Sequence, residues 1–154
     1  MKNQIDENTK KKLLEEHFFY EVKKMIETFS SLKSDESGEN HAVVDLFVHI
    51  RILYYFFYGN FYSEKRIDEA HAGDYLKSWR DKQASDKLKD WIKKVNMTIS
   101  HLDYSRVTEK YNPPRKLLYI HFRDLVIFFL KEFDPQYLGP NLTKLLKNLK
   151  ATKI

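Results

Sequence analysis

AVVDLFVHIRILYYFFY, residues 42–58, is the stretch that decides the fold class. Three polar residues interrupt it, Asp45, His49 and Arg51, and each is costly in a hydrocarbon environment. A helix that is apolar nearly all round is typically buried, so the stretch predicts the central helix of a bundle and not a membrane span. Gly59 follows directly, as expected after the last residue of a helix.

Helical periodicity continues on both sides of this stretch. Apolar residues recur at steps of three and four before it, and again after Ser85, which is a candidate N-cap. The Asn112-Pro113-Pro114 break separates two later helical patterns. In chain order, helices are predicted over residues 8–32, from 39 or 40 to 58, over 68–80, from 86 through the segment 95–107, from the proline break to about 133, and around Leu142–Leu149.

The composition predicts one helical domain. The chain has 154 residues, 42% of them apolar, with only four glycines, four prolines and no cysteine. A chain of this length builds one core, and the shortage of turn residues argues against a many-turned β fold. We therefore predict a single all-α domain over residues 1–154, a helical bundle of four long helices and about two short ones.

Location and assembly are predicted from the same features. The N-terminal MKNQIDENTKKKLLEE has no apolar stretch after its charges, so it does not resemble a secretory signal. The lack of cysteine is compatible with a reducing compartment, and we predict a cytoplasmic protein without a membrane partner. Two very apolar helices leave surplus surface for a second subunit, which predicts a homodimer. A net charge of +5 permits a polyanionic partner without requiring one.

The segment VNMTISHLDYSRV, residues 95–107, places Asn96, His101 and Arg106 on one predicted helix. At about 100° per residue, neither Asn96 nor Arg106 lies on the same stripe as His101. A site that joins His101 to an arginine therefore needs a residue from elsewhere. Arg51 is a candidate, because apolar and aromatic neighbours predict a buried guanidinium that needs a polar partner, either in an active site or in a structural ion pair.

Three segments show an arginine in an aromatic helix, then acidic residues with a tryptophan, then an asparagine followed by His-Leu and arginine: HIRILYYFFY (49–58), DEAHAGDY (68–75) with Trp79, and VNMTISHLDYSR (95–106). Together they resemble a group of small prokaryotic helical proteins, which is similar to the HEPN superfamily of toxin–antitoxin, phage-defence and RNA-processing systems. The resemblance implies a dimeric bundle that binds RNA, or cleaves it without metal through an arginine, a polar residue and a histidine. Asn96 matches the polar position and His101 the histidine, whereas Val95 stands where the family has arginine.

The resemblance also implies roles for individual residues. His101 would act as acid or base, Arg51 or Arg106 would bind phosphate, and Asn96 would orient the substrate through a hydrogen bond. The alternative is a noncatalytic structural or partner-binding bundle in which Arg51 and His101 are internal polar locks. A protein partner such as an antitoxin is compatible with both hypotheses. No cofactor is predicted.

Four weaker patterns complete the sequence-based predictions. In YYFFYGNFY, residues 54–62, Phe56 and Phe57 are expected inside, while exposed aromatics next to basic residues could stack bases and bind phosphate. The nucleic-acid-binding candidates are Tyr58, Tyr62, Lys65 and Arg66.

His41, Asp45 and His49 could chelate a metal on one helix face, but a solvated strip is the simpler interpretation, and no metal is predicted. Lys144, Lys147, Lys150 and Lys153 form a basic stripe that is solvated by default. A small-molecule pocket among the aromatic residues is the remaining alternative.

Overall fold

The computed structural model describes residues 5–32, 39–59, 69–100 and 112–151. Within these ranges the chain is helical and contains no strand, so the predicted all-α class is confirmed. Helix α1 has three consecutive segments, and four further α-helices follow it: α1 is Glu7–Lys12, the π-helical Leu13–Phe18 and Phe19–Leu32; α2 is Glu39–Tyr58; α3 is Asp86–Ser100; α4 is Arg115–Lys131; and α5 is Pro140–Ala151.

The predicted helix over residues 68–80 is wrong where the structure describes it. Residues Ala72–Asp74 and Lys77–Trp79 form two short 3-10 turns, and Leu76 between them is extended. His71 Nδ1 accepts the Gly73 N–H at 2.9 Å, and the Asp74 carboxylate accepts the His71 N–H at 2.8 Å. Such local bonds between side chains and backbone compete with continuous helix. Residues 69–79 therefore form an irregular connecting segment between α2 and α3, which we call the strap.

Two helix termini follow the sequence signals closely. Ser85 is the N-cap of α3 as predicted, because its hydroxyl oxygen accepts the Leu88 N–H at 3.2 Å. Gly59 follows the last residue of α2 as predicted, and its N–H donates to the Tyr55 carbonyl at 2.9 Å. A Cβ at Gly59 would collide with that same carbonyl oxygen. Close backbone approach, and not a left-handed conformation, therefore favours glycine here.

The core is built around aromatic rings from several helices. The Phe129 ring of α4 is fully buried, and its centroid lies 5.4 Å from that of Phe57 and 5.1 Å from that of Trp79. Phe56 and Phe57 are both buried, as predicted. Leu142, Leu145 and Leu149 of α5 are buried too, and Leu146 is partly buried, so this face of the helix packs on the core. No helix in the described ranges combines the length and hydropathy needed to cross a bilayer.

A long-range contact joins the π-helical segment of α1 to the start of α5. The Glu15 carboxylate accepts the backbone N–H groups of Asn141 and Leu142, the latter at 3.4 Å. A Cβ added to Gly139 would collide with the same carboxylate. Glu15 thus serves as the N-terminal cap of a helix that begins more than a hundred residues later in the chain.

Candidate functional site

An open groove of about 720 Å³ runs along the side of α2. The π-helical segment of α1 contributes Leu13, His17 and Phe18 to one wall, and the C-terminal half of α2 forms the other. Ala70 and Ile99 line the groove near its end, so the strap and α3 reach it as well. Isolated π-helical turns are frequent at functional sites, and this one forms part of the groove wall.

The α2 wall is apolar and faces solvent. Its buried face packs into the core, but four apolar residues at steps of four, four and three are between 38% and 47% exposed on the opposite face: Val44, Val48, Ile52 and Tyr55. We call these four residues the apolar stripe. The prediction that α2 is buried all round is therefore wrong for this face. Contiguous exposed apolar surface of this kind typically marks an interaction site.

Arg51 lies beside the apolar stripe and not in the core. It is only partly buried, lines the groove, and its guanidinium carbon is 5.9 Å from the centre of the Tyr55 ring. The prediction of a buried guanidinium is wrong, because the neighbours Val48 and Tyr55 that suggested burial are themselves exposed. Arg51 is thus placed as a cation at the edge of an apolar surface.

Among the described residues that line the groove, acids outnumber permanent cations. Glu21 and Glu69 line it together with Arg51, and no other acid or permanent cation is among its described lining residues. His49 Nδ1 lies 2.6 Å from Glu21 Oε2, which ties α2 to α1 next to the groove. The exposed Tyr20 ring packs edge-on against His49, at 6.2 Å between ring centroids. The described lining alone therefore provides no concentrated positive field for phosphate.

The predicted catalytic residues are only partly placed by the structure. His101 and Arg106 lie outside the described residues. Asn96 is partly buried, and its amide oxygen is shielded from solvent with no hydrogen-bond donor in the described part of the chain. Val95, which the resemblance aligns with the motif arginine, is completely buried and belongs to the core. Lys94, one residue earlier, pairs with Asp90 at 2.8 Å.

Tyr58 takes part in a contact that no sequence pattern predicted. Its hydroxyl lies 3.1 Å from His121 Nε2 on α4, and the two rings are stacked with centroids 6.2 Å apart. Burial lowers the pKa of His121 and raises the pKa of Tyr58, because both charged forms lose hydration there. The other predicted nucleic-acid-binding residues, Tyr62, Lys65 and Arg66, lie outside the described residues.

The remaining polar patterns do not assemble a second site. His49 pairs with Glu21 of α1, while Asp45 is exposed. These two residues, considered above as possible metal ligands, therefore have different surroundings. Within the described ranges, no group of three or more histidine, cysteine, aspartate or glutamate side chains is arranged to hold a metal ion. Lys144, Lys147 and Lys150 are exposed on α5, and Lys153 lies outside the described residues.

A smaller cavity of about 370 Å³ lies between the start of α1 and the end of α4. Its acidic lining is engaged internally: Glu132 accepts from Ser78 and Trp79, and Glu7 pairs with Lys10 at 2.8 Å. Lys11 lies over the Tyr137 ring at 5.2 Å. These groups stabilise the junction of several elements, and they do not converge on a vacant ligand position.

No protein-family model matches this chain, and neither a curated protein nor a solved structure gives a significant match. Function is therefore inferred from residues, contacts and charges alone. Of the sequence-predicted features that the structure describes, the groove beside α2 brings together Arg51 and the aromatic end of α2, and it also contacts Ile99 of α3.

Proposed function

We propose that this protein is a noncatalytic, cytoplasmic partner-binding bundle that docks another protein on α2. The observation that carries the proposal is the apolar stripe, four large apolar side chains that share one exposed helix face. Full burial of one such side chain contributes roughly 1.5–3 kcal/mol, so covering the exposed fractions of all four would contribute about 4 kcal/mol before the costs of association. A protein surface of matching shape recovers that energy.

Charge favours a protein over RNA as the occupant. RNA binding draws most of its affinity from cations on phosphate, and the described lining of the groove, with one arginine and two glutamates, supplies little of it. Aliphatic side chains such as Val48 and Ile52 also offer no flat ring for a base to stack on. Apolar residues with a charged rim are instead the usual composition of protein interfaces.

In this proposal the polar residues next to the stripe have a positioning role. The Glu21–His49 contact holds α2 against α1, and the Tyr58–His121 contact holds the end of α2 against α4. Both contacts lie beside the docking surface and keep its helix in a fixed orientation. Arg51, at the groove edge, would favour a partner with an acidic residue at the matching position of its interface.

The test is site-specific photo-crosslinking in the producing cells. A benzophenone amino acid replaces Val48 in the stripe or, as the control, Lys147 on the exposed face of α5. We expect an ultraviolet-dependent adduct at position 48 that protease digests and ribonuclease leaves intact, and none at position 147. Equal labelling at the two positions would contradict the proposal.

A second candidate is HEPN-like RNA binding or metal-independent RNA cleavage, in a defence or toxin–antitoxin setting. The observation that favours it is the open position of Arg51 beside the Tyr55 ring, in a groove that extends to Ile99, just before His101. A cation such as Arg51 beside an open groove could stabilise phosphate charge, while His101 itself lies outside the described residues.

The two candidates are separated by incubating a labelled RNA pool with the purified protein in EDTA. His101→Ala runs in parallel, with its melting temperature as the control for folding. The docking proposal expects no RNA binding and no cleavage. Metal-free cleavage that disappears in a folded His101→Ala variant would instead establish the second candidate, as would a ribonuclease-sensitive adduct at position 48.

A further inference from the structure

We infer that the contact between Tyr58 and His121 is a proton-operated latch, in which protonation of His121 releases the Tyr58 side chain from α4. The latch is closed in the structure, because the Tyr58 hydroxyl lies 3.1 Å from His121 Nε2 and the two rings are stacked. It is a property of the chain without a partner and goes beyond the proposed docking function.

The closed latch covers the imidazole with aromatic rings. Tyr58 and His121 are both partly buried, and the Phe122 ring lies edge-on to His121 with centroids 5.2 Å apart. On the α2 side, the titratable neighbour of Tyr58 is Tyr54, at 5.6 Å between ring centroids, and burial raises the pKa of both hydroxyls so that neither carries charge. This enclosure excludes the water that an imidazolium needs, and the closed latch therefore holds the neutral ring.

Two charged side chains among the described residues act on His121 with opposite effects. Burial is the main reason why the pKa of His121 is lowered; the Asp124 carboxylate, one turn later on α4, raises it, and the Lys82 ammonium lowers it. Lys82 lies between the strap and α3, over the Trp79 ring at 3.9 Å from its centroid. Asp124 is exposed and pairs with Arg123 at 2.8 Å. A protonated His121 therefore gains by turning away from Lys82, towards Asp124 and solvent.

The released state takes up the proton more readily than the closed state. A His121 ring in solvent titrates near the ordinary value of about 6.5, whereas burial lowers the pKa of the covered ring. The latch is therefore closed above about pH 6.5, and falling pH favours its release. A hydroxyl can donate to a neutral imidazole or accept from an imidazolium, so burial decides the state and the hydrogen bond does not. Release is limited to side chains, because the neighbouring Phe57 is fully buried and holds the end of α2 in the core.

The test is nuclear magnetic resonance of the purified full chain, with carbon-13 in its histidine and tyrosine rings, from about pH 8 to about pH 5. The His121 Cε1–H shift reports protonation, and nuclear Overhauser contacts between the Tyr58 and His121 rings report the closed latch. His121→Gln and Tyr58→Phe assign the signals. Circular dichroism over the same pH range confirms that the helices stay folded.

We expect the contacts between the two rings to disappear with the midpoint at which His121 is protonated, and that midpoint to lie below about 6.5. Tyr58→Ala removes the cover and should raise the midpoint, whereas the matched Tyr137→Ala, at an exposed ring after α4, should leave it unchanged. Lys82→Gln should raise the midpoint and Asp124→Asn should lower it.

Ring contacts that persist after His121 is protonated would overturn the latch, because the imidazolium would then stay under the Tyr58 ring. A midpoint that Tyr58→Ala leaves unchanged would overturn it as well, since Tyr58 would not be the group that excludes water. If Tyr58→Ala does not fold, the ring contacts of the wild-type chain still decide. The measurements use the chain without a partner, so a missing protein adduct at position 48 would refute the proposed function and leave the latch standing.

Discussion

Replacing Glu15 with alanine should uncap α5 from a distance. The carboxylate accepts two backbone N–H groups at the N-terminus of that helix, from Asn141 and Leu142, where the helix dipole also favours negative charge. Loss of a helix cap typically costs about 1 kcal/mol, and Glu15 lies at the protein surface, so we expect about that value. For a chain of this size the loss corresponds to a melting temperature about 3 °C lower.

The measurement is the free energy of unfolding in urea, with thermal melting as a second readout. Glu16→Ala is the matched control, because this neighbouring glutamate is exposed on the same π-helical segment. We expect Glu15→Ala to lose clearly more stability than Glu16→Ala. Equal losses would refute the reasoning that the contact with α5 stabilises the fold.

Gly139→Ala tests the same cap from the other side. Its Cβ would displace the Glu15 carboxylate, so the substitution should cost about as much as the cap itself, about 1 kcal/mol. In the Glu15→Ala background the collision is gone, and the backbone there has no positive φ. Gly139→Ala should then be neutral or stabilising by about 0.4–1 kcal/mol, through reduced freedom of the unfolded chain. Additive effects of the two substitutions would contradict this coupling.

Three further predictions concern the core, a cap and pH. Phe129→Ala should cost about 3–5 kcal/mol in urea unfolding, because its ring is fully buried among other aromatic rings; a loss below about 1 kcal/mol would contradict that packing. Ser85→Ala should cost about 1 kcal/mol, measured against the exposed Ser30→Ala, and equal losses would exclude a capping role. Because burial lowers the pKa of His121, the unfolded chain takes up its proton first as the pH falls. The stability from this group is therefore intact above about pH 6.5 and is lost below it. His121→Gln should flatten the curve of stability against pH. If the curves of stability against pH run parallel for wild type and His121→Gln, His121 does not contribute to the pH dependence.

Local sequence signals predicted the helices well because their causes are local. The spacing of Phe18, Val22, Met25 and Phe29 records which side of α1 faces the core, and all four are buried. Ser85 caps the helix that directly follows it. The strap around residue 73 was mispredicted because side-chain bonds of His71 and Asp74 compete with helix formation, and apolar periodicity does not register them.

The candidate site was less predictable because it depends on contacts between distant elements. A helix apolar on all sides, such as α2, does not reveal which face stays uncovered, so Val48 and Arg51 were both expected inside. His121 had no sequence pattern that linked it to Tyr58, 63 residues earlier. These pairings are determined by how the helices cross, and a single sequence carries no direct record of that geometry.

The π-helical segment Leu13–Phe18 has a consequence for the numbering of residues along α1. Its N–H groups bond carbonyls five residues back, as Phe19 does with Leu14, so the segment holds more residues per turn than the α-helix on either side. Deleting one residue within it could restore a regular α-helix with the flanking segments in nearly the same relative orientation, because the wider π-helical turn already accommodates one extra residue. A relative of this chain with a regular first helix would therefore align only with a single-residue gap in this segment, and the matching of Glu7–Lys12 to its positions depends on where that gap is placed.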